Sequence, residues 1–468
     1  MNQSSRLISI VAATTPKSRA RLSARRPPAS PFRVSTSFGV SGFVMSLSHI
    51  VRCAALLVAA FAVVSSASCS DSTAPLRRFA VLDDVGASDW TSVSAGGDHT
   101  CALKSDGSAY CWGSNQFGQL GIAQSDTTCG SAPAASYACS LTPQAVETTV
   151  KFSSISAGQR HTCGITTDRR AFCWGANESG QISDIAPGGS TLAEITSTLP
   201  WVQISAGSTH TCAVRSDGAL FCWGANDRGQ LGNGTLNSGG ALSRVSLQAT
   251  VAVVATGQSR TCARTTSGVV YCWGAIWVDR ENGLEITRSQ ASPLTVPAAP
   301  VMAGLSVGSF TTCGTDRTGG AYCWEANPRG EMGTGTVDGS VVPEPVAGNL
   351  QFVQIAAGIL QTCGITTAGA AYCWGDDSFG QLGVSTASLP ERCADAGLPC
   401  ARRPVAVVGR QNFTEISTGF GSHTCGVSVR GNLYCWGLGV SGQRGDGSTL
   451  TAIATPIRVV EPTRPKVS

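Results

Sequence analysis

From Trp90 onward the chain alternates short apolar runs with breaks rich in glycine, serine and aspartate, and the order of the runs repeats. In one period they are TPQAV from Thr142, FSSISAG from Phe152, HTCGIT from His161 and AFCWG from Ala171. Runs this short, rich in β-branched and aromatic residues and bounded by turn formers, are strand signals. No stretch of the repeating region sustains a helical period. The tryptophan of each CW dipeptide serves as a ruler: Trp112, Trp174, Trp223, Trp273, Trp324, Trp374 and Trp436 stand 62, 49, 50, 51, 50 and 62 residues apart. A period near 50 marks a repeat architecture. Four strands repeated seven times predict an all-β, seven-bladed β-propeller, whose radial arrangement leaves only short, protected edges. The first repeat opens at Trp90 without a preceding strand, and the chain ends on a spare one, TPIRVV, from Thr455 to Val460. The C-terminal strand is therefore expected to complete the first blade and close the ring.

Charge divides the chain in two. Eight of the 33 basic residues and none of the 29 acidic ones fall in residues 1–68, so the remainder carries 25 against 29, a net charge of −4. A mildly acidic body lacks the field that drives phosphate binding, which argues against nucleic acid as a partner. The basic end reads as an address. From Met45 a short basic stretch leads into an apolar core, Ala54 to Val64, then small residues and Cys69. That is the layout of an export signal, too short to span a membrane. Ala67 and Ser68 ahead of Cys69 resemble a lipobox, which makes Cys69 the expected lipid attachment site. The expected organisation is a leader or upstream start extension at 1–44, a signal peptide at 45–68, a tether at 69–89, the propeller at 90–460 and a tail at 461–468.

The repeat SAG-x-x-HTC…DG…YCWG-x-N-x-x-GQLG resembles that of the regulator of chromosome condensation family, and the resemblance covers Trp90 to about Val460. It implies a seven-bladed propeller and says little of function, since one fold hosts many. The family includes an exchange factor for a small nuclear GTPase, a plant light receptor and a secreted bacterial inhibitor of β-lactamases. An exported, acidic body suits neither of the first two settings.

The cysteines follow the repeat. In CALKSDGSAYC a three-residue loop, Ser105-Asp106-Gly107, sets Cys101 opposite Cys111. Such loops need one left-handed residue, which glycine supplies freely. Glycine holds that place at 107, 218, 268, 319, 369 and 431, and only Arg169 breaks the rule. Each pair then falls at a non-hydrogen-bonded position, where Cα atoms approach to about 4.5 Å. The pair recurs blade by blade as Cys163/Cys173, Cys212/Cys222, Cys262/Cys272, Cys313/Cys323, Cys363/Cys373 and Cys425/Cys435. Cys129/Cys139 and Cys393/Cys400 sit in the insertions that lengthen two intervals. With an export signal the natural reading is nine disulfides. A zinc or iron–sulfur site, needing four thiolates at one centre, and free buried thiols are the alternatives.

His99, His161, His210 and His423 share one repeat position. A metal site on the axis is conceivable. Arg260, Thr311 and Gln361 replace them in the other copies, which favours a structural role, each histidine bonding backbone near the start of its own strand. No nucleophile–base spacing, phosphate loop or metal-binding histidine pair stands out, so neither a cofactor nor a metal is expected. A two-carboxylate glycosidase site is not proposed by any spacing.

The departures from the repeat are where a partner surface is expected. After Trp273 the chain reads AIWVDRENGLEITRSQ in place of N-x-x-GQLG. Its Trp277, Arg280 and Arg288 are residue types that dominate interface hot spots. The two insertions, 121–141 and 383–401, follow the same turn in blades 1 and 6, so they should share a face and flank a sector that includes blade 7. The function expected is a non-catalytic, exported and lipid-anchored platform, monomeric, binding a protein or a cell-surface polymer at the envelope. A propeller enzyme with a carboxylate or metal site in its channel, and an inhibitor of a secreted enzyme, are the rival readings.

Overall fold

A computed structural model describes residues 88–130, 136–281, 284–389, 391–393 and 397–462. The expected signal, Cys69 and the leader lie outside the described residues. What is described forms seven antiparallel sheets. Blade 2 shows the plan: Phe152–Ala157, His161–Thr166, Ala171–Gly175 and Gly189–Ile195 pair in that order from the axis outward. The inner strands of all seven blades line a central channel of about 340 Å³. Between blades lie the tryptophans of the CW dipeptides, each buried, so the core is a set of inter-blade layers.

The strand-two to strand-three hairpins follow the sequence closely. The six turn glycines have φ between 73° and 92°. In blade 2 the same turn forces Arg169 to φ 64°, a conformation that costs an L-residue about 1–2 kcal/mol. Arg169→Gly is expected to raise stability by about 1 kcal/mol, after glycine's extra chain entropy is deducted. Urea melts of the two proteins check it, and a loss of stability would contradict it.

The opposed cysteines of every hairpin are bridged. Cys101–Cys111, Cys163–Cys173, Cys212–Cys222 and Cys262–Cys272 form disulfides in blades 1 to 4, each with Cα atoms 4.1 Å apart. Cys313–Cys323, Cys363–Cys373 and Cys425–Cys435 do so in blades 5 to 7, at 4.0–4.1 Å. These separations fall below the 4.5 Å expected of the register, because the bond draws the two strands together. The insertion pairs Cys129–Cys139 and Cys393–Cys400 are bridged as well, at 5.8 Å. With every one of these sulfurs committed to another, none is left to ligate zinc or an iron–sulfur cluster.

The expected ring closure is corrected. The C-terminal strand Ala452–Arg458 pairs with Leu433–Leu438 and completes blade 7, and blade 1 takes its fourth strand from its own continuation, Tyr137–Ala145. An apolar run announces a strand without saying which edge it covers, and pairing with the strand just before it closes the shorter loop. Blades 7 and 1 instead meet through cross-seam bonds. The Trp90 N–H donates to the Gly431 carbonyl at 3.2 Å, and the Ala95 N–H to the Ser417 hydroxyl at 3.0 Å. Beyond the last strand, Glu461 accepts from Trp90 Nε1 at 3.1 Å and Lys104 Nζ at 2.8 Å. The end of the propeller does clasp blade 1, through one carboxylate.

Candidate functional site

One belt of polar contacts joins most neighbouring blades, and its physical logic shows where the chain departs from it. The GQLG turn after the third strand offers the glutamine's backbone carbonyl to the next blade. Gln119 O accepts from Thr162 Oγ1 at 2.9 Å and from Trp174 Nε1 at 3.0 Å. Gln230, Gln381 and Gln443 do the same for Thr261 and Trp273, Thr424 and Trp436, and Thr100 and Trp112. The threonine proton is thereby committed, so the threonine oxygen must accept from the histidine of the preceding blade. His99, His161, His210 and His423 lie 2.8–2.9 Å from Thr162, Thr211, Thr261 and Thr100 through Nε2. That makes each histidine the neutral Nε2–H tautomer. Burial, helped by neighbouring charges at three of them, pushes His99, His161 and His423 down to about 3, and burial pushes His210 down to about 4. The histidines therefore staple one blade to the next, where the sequence suggested a bond within each blade. The cause is length: an imidazole spans the gap that a backbone contact would leave open.

The seam between blades 4 and 5 is built differently. Blade 4 has no GQLG turn; its third and fourth strands run on as a hairpin, Val270–Glu281 and Leu284–Thr295. Thr312 of blade 5 consequently lacks a carbonyl to donate to. Its hydroxyl goes instead to Glu325 Oε2 at 2.6 Å. Glu325 stands where the other six blades have glycine, and it holds φ 82°, a conformation that only surrounding structure can impose. Its carboxylate also pairs with Arg260 Nη1, and both side chains are almost fully buried, at 3% and 4% exposure. Arg260 occupies the histidine position. Three local departures thus compensate one another: a lost turn, a glutamate for glycine and an arginine for histidine.

Two cavities open at this seam. The larger, about 270 Å³, is walled by Arg228, Arg260, Trp277 and Phe310 among others. The second, about 170 Å³, is mainly apolar and is bordered by Ile276, Trp277, Arg288, Leu294, Trp324 and Val341. Trp277 separates them. It is buried, at 7% exposure, and its ring lies against Gly339 of blade 5, where an added Cβ would come within 2.7 Å. In the other blades the third-to-fourth-strand turn packs on the next blade's fourth strand, as Gly229 does on Ala291 and Gly442 on Leu141. Trp277 fills that place in blade 4.

Comparison with known proteins fits the blade plan. Profiles of the regulator of chromosome condensation (RCC1) repeat match residues 90–119, 152–181, 201–230, 352–381 and 413–443, and a second profile matches 106–165 and 217–263. The matched segments of blades 1, 2, 3, 6 and 7 are regulator of chromosome condensation repeats. The chain is similar to the ultraviolet-B receptor UVR8 of Arabidopsis thaliana, 34% identical over 92 residues. It is similar as well to the human regulator of chromosome condensation, 35% identical over 88 residues. These alignments span about a fifth of this chain, 20% and 19%, and as little of each relative, 19% and 18%. Among solved structures, yeast RCC1 (Prp20) bound to Kap60 superposes with a TM-score of 0.65 at 19% identity, over 75% of this chain and 83% of that one. The last comparison speaks for the fold alone.

Residues 264–351 lie outside every matched segment, and they contain the blade 4 hairpin and all four strands of blade 5, Glu325 included. The seam thus lies in the longest unmatched stretch of the propeller. Of the residues expected to meet a partner, Trp277 turns inward and Arg288 borders the apolar cavity. Arg280 lies near the hairpin tip, opposite Glu285 in the strand register. The stapled insertions do share a face with the hairpin, because all three belong to third-to-fourth-strand connections. They belong to blades 1 and 6, the two neighbours of blade 7. The blade 1 insertion leans on blade 7, with Tyr137 Oη 2.7 Å from Ser441 Oγ, whereas the blade 6 insertion leans on blade 5, where Arg329 Nη1 reaches the Cys393 carbonyl at 3.3 Å. Each connection packs on a neighbouring blade, and the second insertion meets the third-to-fourth-strand turn of blade 5.

The channel carries one ionisable residue among its described lining, Glu415. At the same place in blades 3 and 6, Gln203 and Gln354 bridge the N–H and C=O of the next inner strand. Glu415 accepts from the Val93 N–H and Ser92 Oγ, each at 3.2 Å, but an ionised carboxylate cannot return a proton to the carbonyl. Burial raises it to about 7. A glycosidase needs two carboxylates, and the channel walls supply one.

Proposed function

We propose that this chain is an exported, non-catalytic binding platform for another protein, working as a monomer through the face that bears the hairpin and the two stapled insertions. The observation that carries the reading is the concentration of every large departure from the repeat on that one face, above a scaffold of near-identical blades. Loops held by a rigid scaffold are where binding usually resides. Nine disulfides suit an oxidising compartment, which is where a signal at 45–68 and a lipid on Cys69 would deliver the chain. Among solved relatives by fold, Prp20 is found bound to Kap60, so a protein ligand is within the repertoire of this architecture.

A photo-reactive side chain separates the two faces. Placed at Ile286 on the hairpin, which is exposed, it is expected to cross-link a partner in intact envelopes of the source cell. Placed at Val429, in an exposed turn between the second and third strands, it is expected to give none. Cross-links from Val429 alone would put the working face on the other side.

A further inference from the structure

We propose that the seam between blades 4 and 5 holds a carboxylate-binding pocket built on Arg260, which takes an acidic side chain or the chain end of the partner protein. The inference rests on the platform reading for its macromolecular source and on the seam geometry for its chemistry. Arg260 is 3% exposed, and only its Nη1 meets Glu325. Its Nε and Nη2 are buried and have no hydrogen-bond acceptor among the described residues. Those two nitrogens form the side edge of the guanidinium, the fork that matches the two oxygens of a carboxylate. Arg260 borders the cavity of about 270 Å³ whose walls include Arg228, Ser259, Trp277, Ser309 and Phe310. That is room for one side chain rather than for a fold.

A buried cation with donors unmade is costly. The equivalent seams avoid the cost: His99, His161, His210 and His423 each spend their one donor on the next blade's threonine. An arginine here brings five donors to a place that needs one. Two acceptor atoms on that edge would satisfy the remaining donors, and a carboxylate offers both at once. Charge argues for a single negative unit. Arg260 is already matched one to one by Glu325, and Arg228 at the mouth faces Asp227 at 3.7 Å, so every added negative unit goes unmatched and a phosphate dianion fares worse than a carboxylate. The Trp277 and Phe310 walls suit the carbon chain that a carboxylate carries.

Titration followed by NMR tests this on the intact propeller, reading the Arg260 Nε–H resonance. The probes are a capped tripeptide amide with a central glutamate, a capped dipeptide ending in a free C-terminal phenylalanine, and inorganic phosphate. The carboxylates are expected to shift the resonance saturably, the tighter of the two naming the source, with phosphate at least about tenfold weaker. Ala275→Leu, which fills the cavity without touching the ion pair, is expected to weaken carboxylate binding about tenfold at an unchanged melting temperature. Arg260→His, the residue of the regular seams, should abolish it. Binding that Ala275→Leu leaves intact, or phosphate binding tighter than either peptide, overturns the pocket. A negative titration with positive cross-links from Ile286 would remove the pocket and leave the platform. A positive titration without cross-links would do the reverse.

Discussion

Acidification from pH 8 to pH 5 is expected to remove about 8 kcal/mol from the folded state through the four belt histidines, about 2 kcal/mol each. Their folded values lie at about 3 for His99, His161 and His423 and about 4 for His210, against an unfolded 6.5. Lowered values mean that below pH 6.5 the unfolded chain takes up protons that the native one refuses. The contribution is complete above 6.5 and is lost as pH falls toward the folded values. Three buried carboxylates act in the opposite sense, Asp98 being raised by burial as well. Burial raises Glu415 to about 7 and Asp377 to about 6, so their stabilising share is fullest in acid and disappears as pH rises through those values. Glu415 and Asp377 together return about 4 kcal/mol over the same span, which leaves a net loss of at most about 4 kcal/mol.

The loss is large beside the 5–15 kcal/mol that holds an ordinary domain together. Urea melts at pH 8, 6.5 and 5 measure it, and His161→Gln isolates one staple. Glutamine is the natural occupant of this position in blade 6, where Gln361 Nε2 donates across the seam to Gly421 O at 3.3 Å. The variant is expected to lose about 2 kcal/mol less than the parent between pH 8 and pH 5. An unchanged pH slope would mean that His161 is not held neutral, and the belt would need another account.

The belt also marks where the sequence was legible and where it was not. Strands, hairpin register and the opposed cysteines came through because each depends on residues within about a dozen of one another: apolar alternation, a turn glycine, a count back to the cysteine. The exception at Arg169 was visible as a broken rule, and the structure shows the turn imposing its conformation regardless. Ring closure was not legible, since TPIRVV looks the same whether it ends blade 7 or begins blade 1. Nor was the meaning of GQLG, because the atom that matters is the backbone carbonyl of Gln119 or Gln230, which every residue possesses. The ion pair of the divergent seam was half-visible. Arg260 in a histidine column and Glu325 in a glycine column are opposite charges in adjacent repeats, and pairing the two departures in one frame would have placed them together. The burial of Trp277 was not legible for a physical reason: an indole in a run with two arginines has hot-spot composition whether it stands on the surface or, as here, fills the place of a missing turn.

Reduction of the bridges is expected to unfold the propeller outright. Each hairpin cysteine pair closes a loop with a sequence separation of 10, which is worth about 3 kcal/mol when unstrained. The seven pairs sit in separate sheets and should act independently, so their sum, about 20 kcal/mol, exceeds the stability of an ordinary domain. The insertion bridges differ. Cys129–Cys139 and Cys393–Cys400 close side excursions of blades 1 and 6, and opening one should free its loop without loosening the ring. Replacing Cys363 and Cys373 by alanine is therefore expected to cost about 3 kcal/mol in a urea melt. Replacing Cys129 and Cys139 should leave the main transition in place and expose the insertion to protease. Both hairpin cysteines in each blade are buried, at 4% exposure or less, so a reductant can reach them only as the blade opens, and the rate of thiol release should follow the rate of global unfolding. Equal costs for the two double substitutions would show that the hairpin bridges are ornaments on a self-sufficient core. A chain that reached the same fold with its thiols free would remove the main physical reason for placing its maturation in an oxidising compartment.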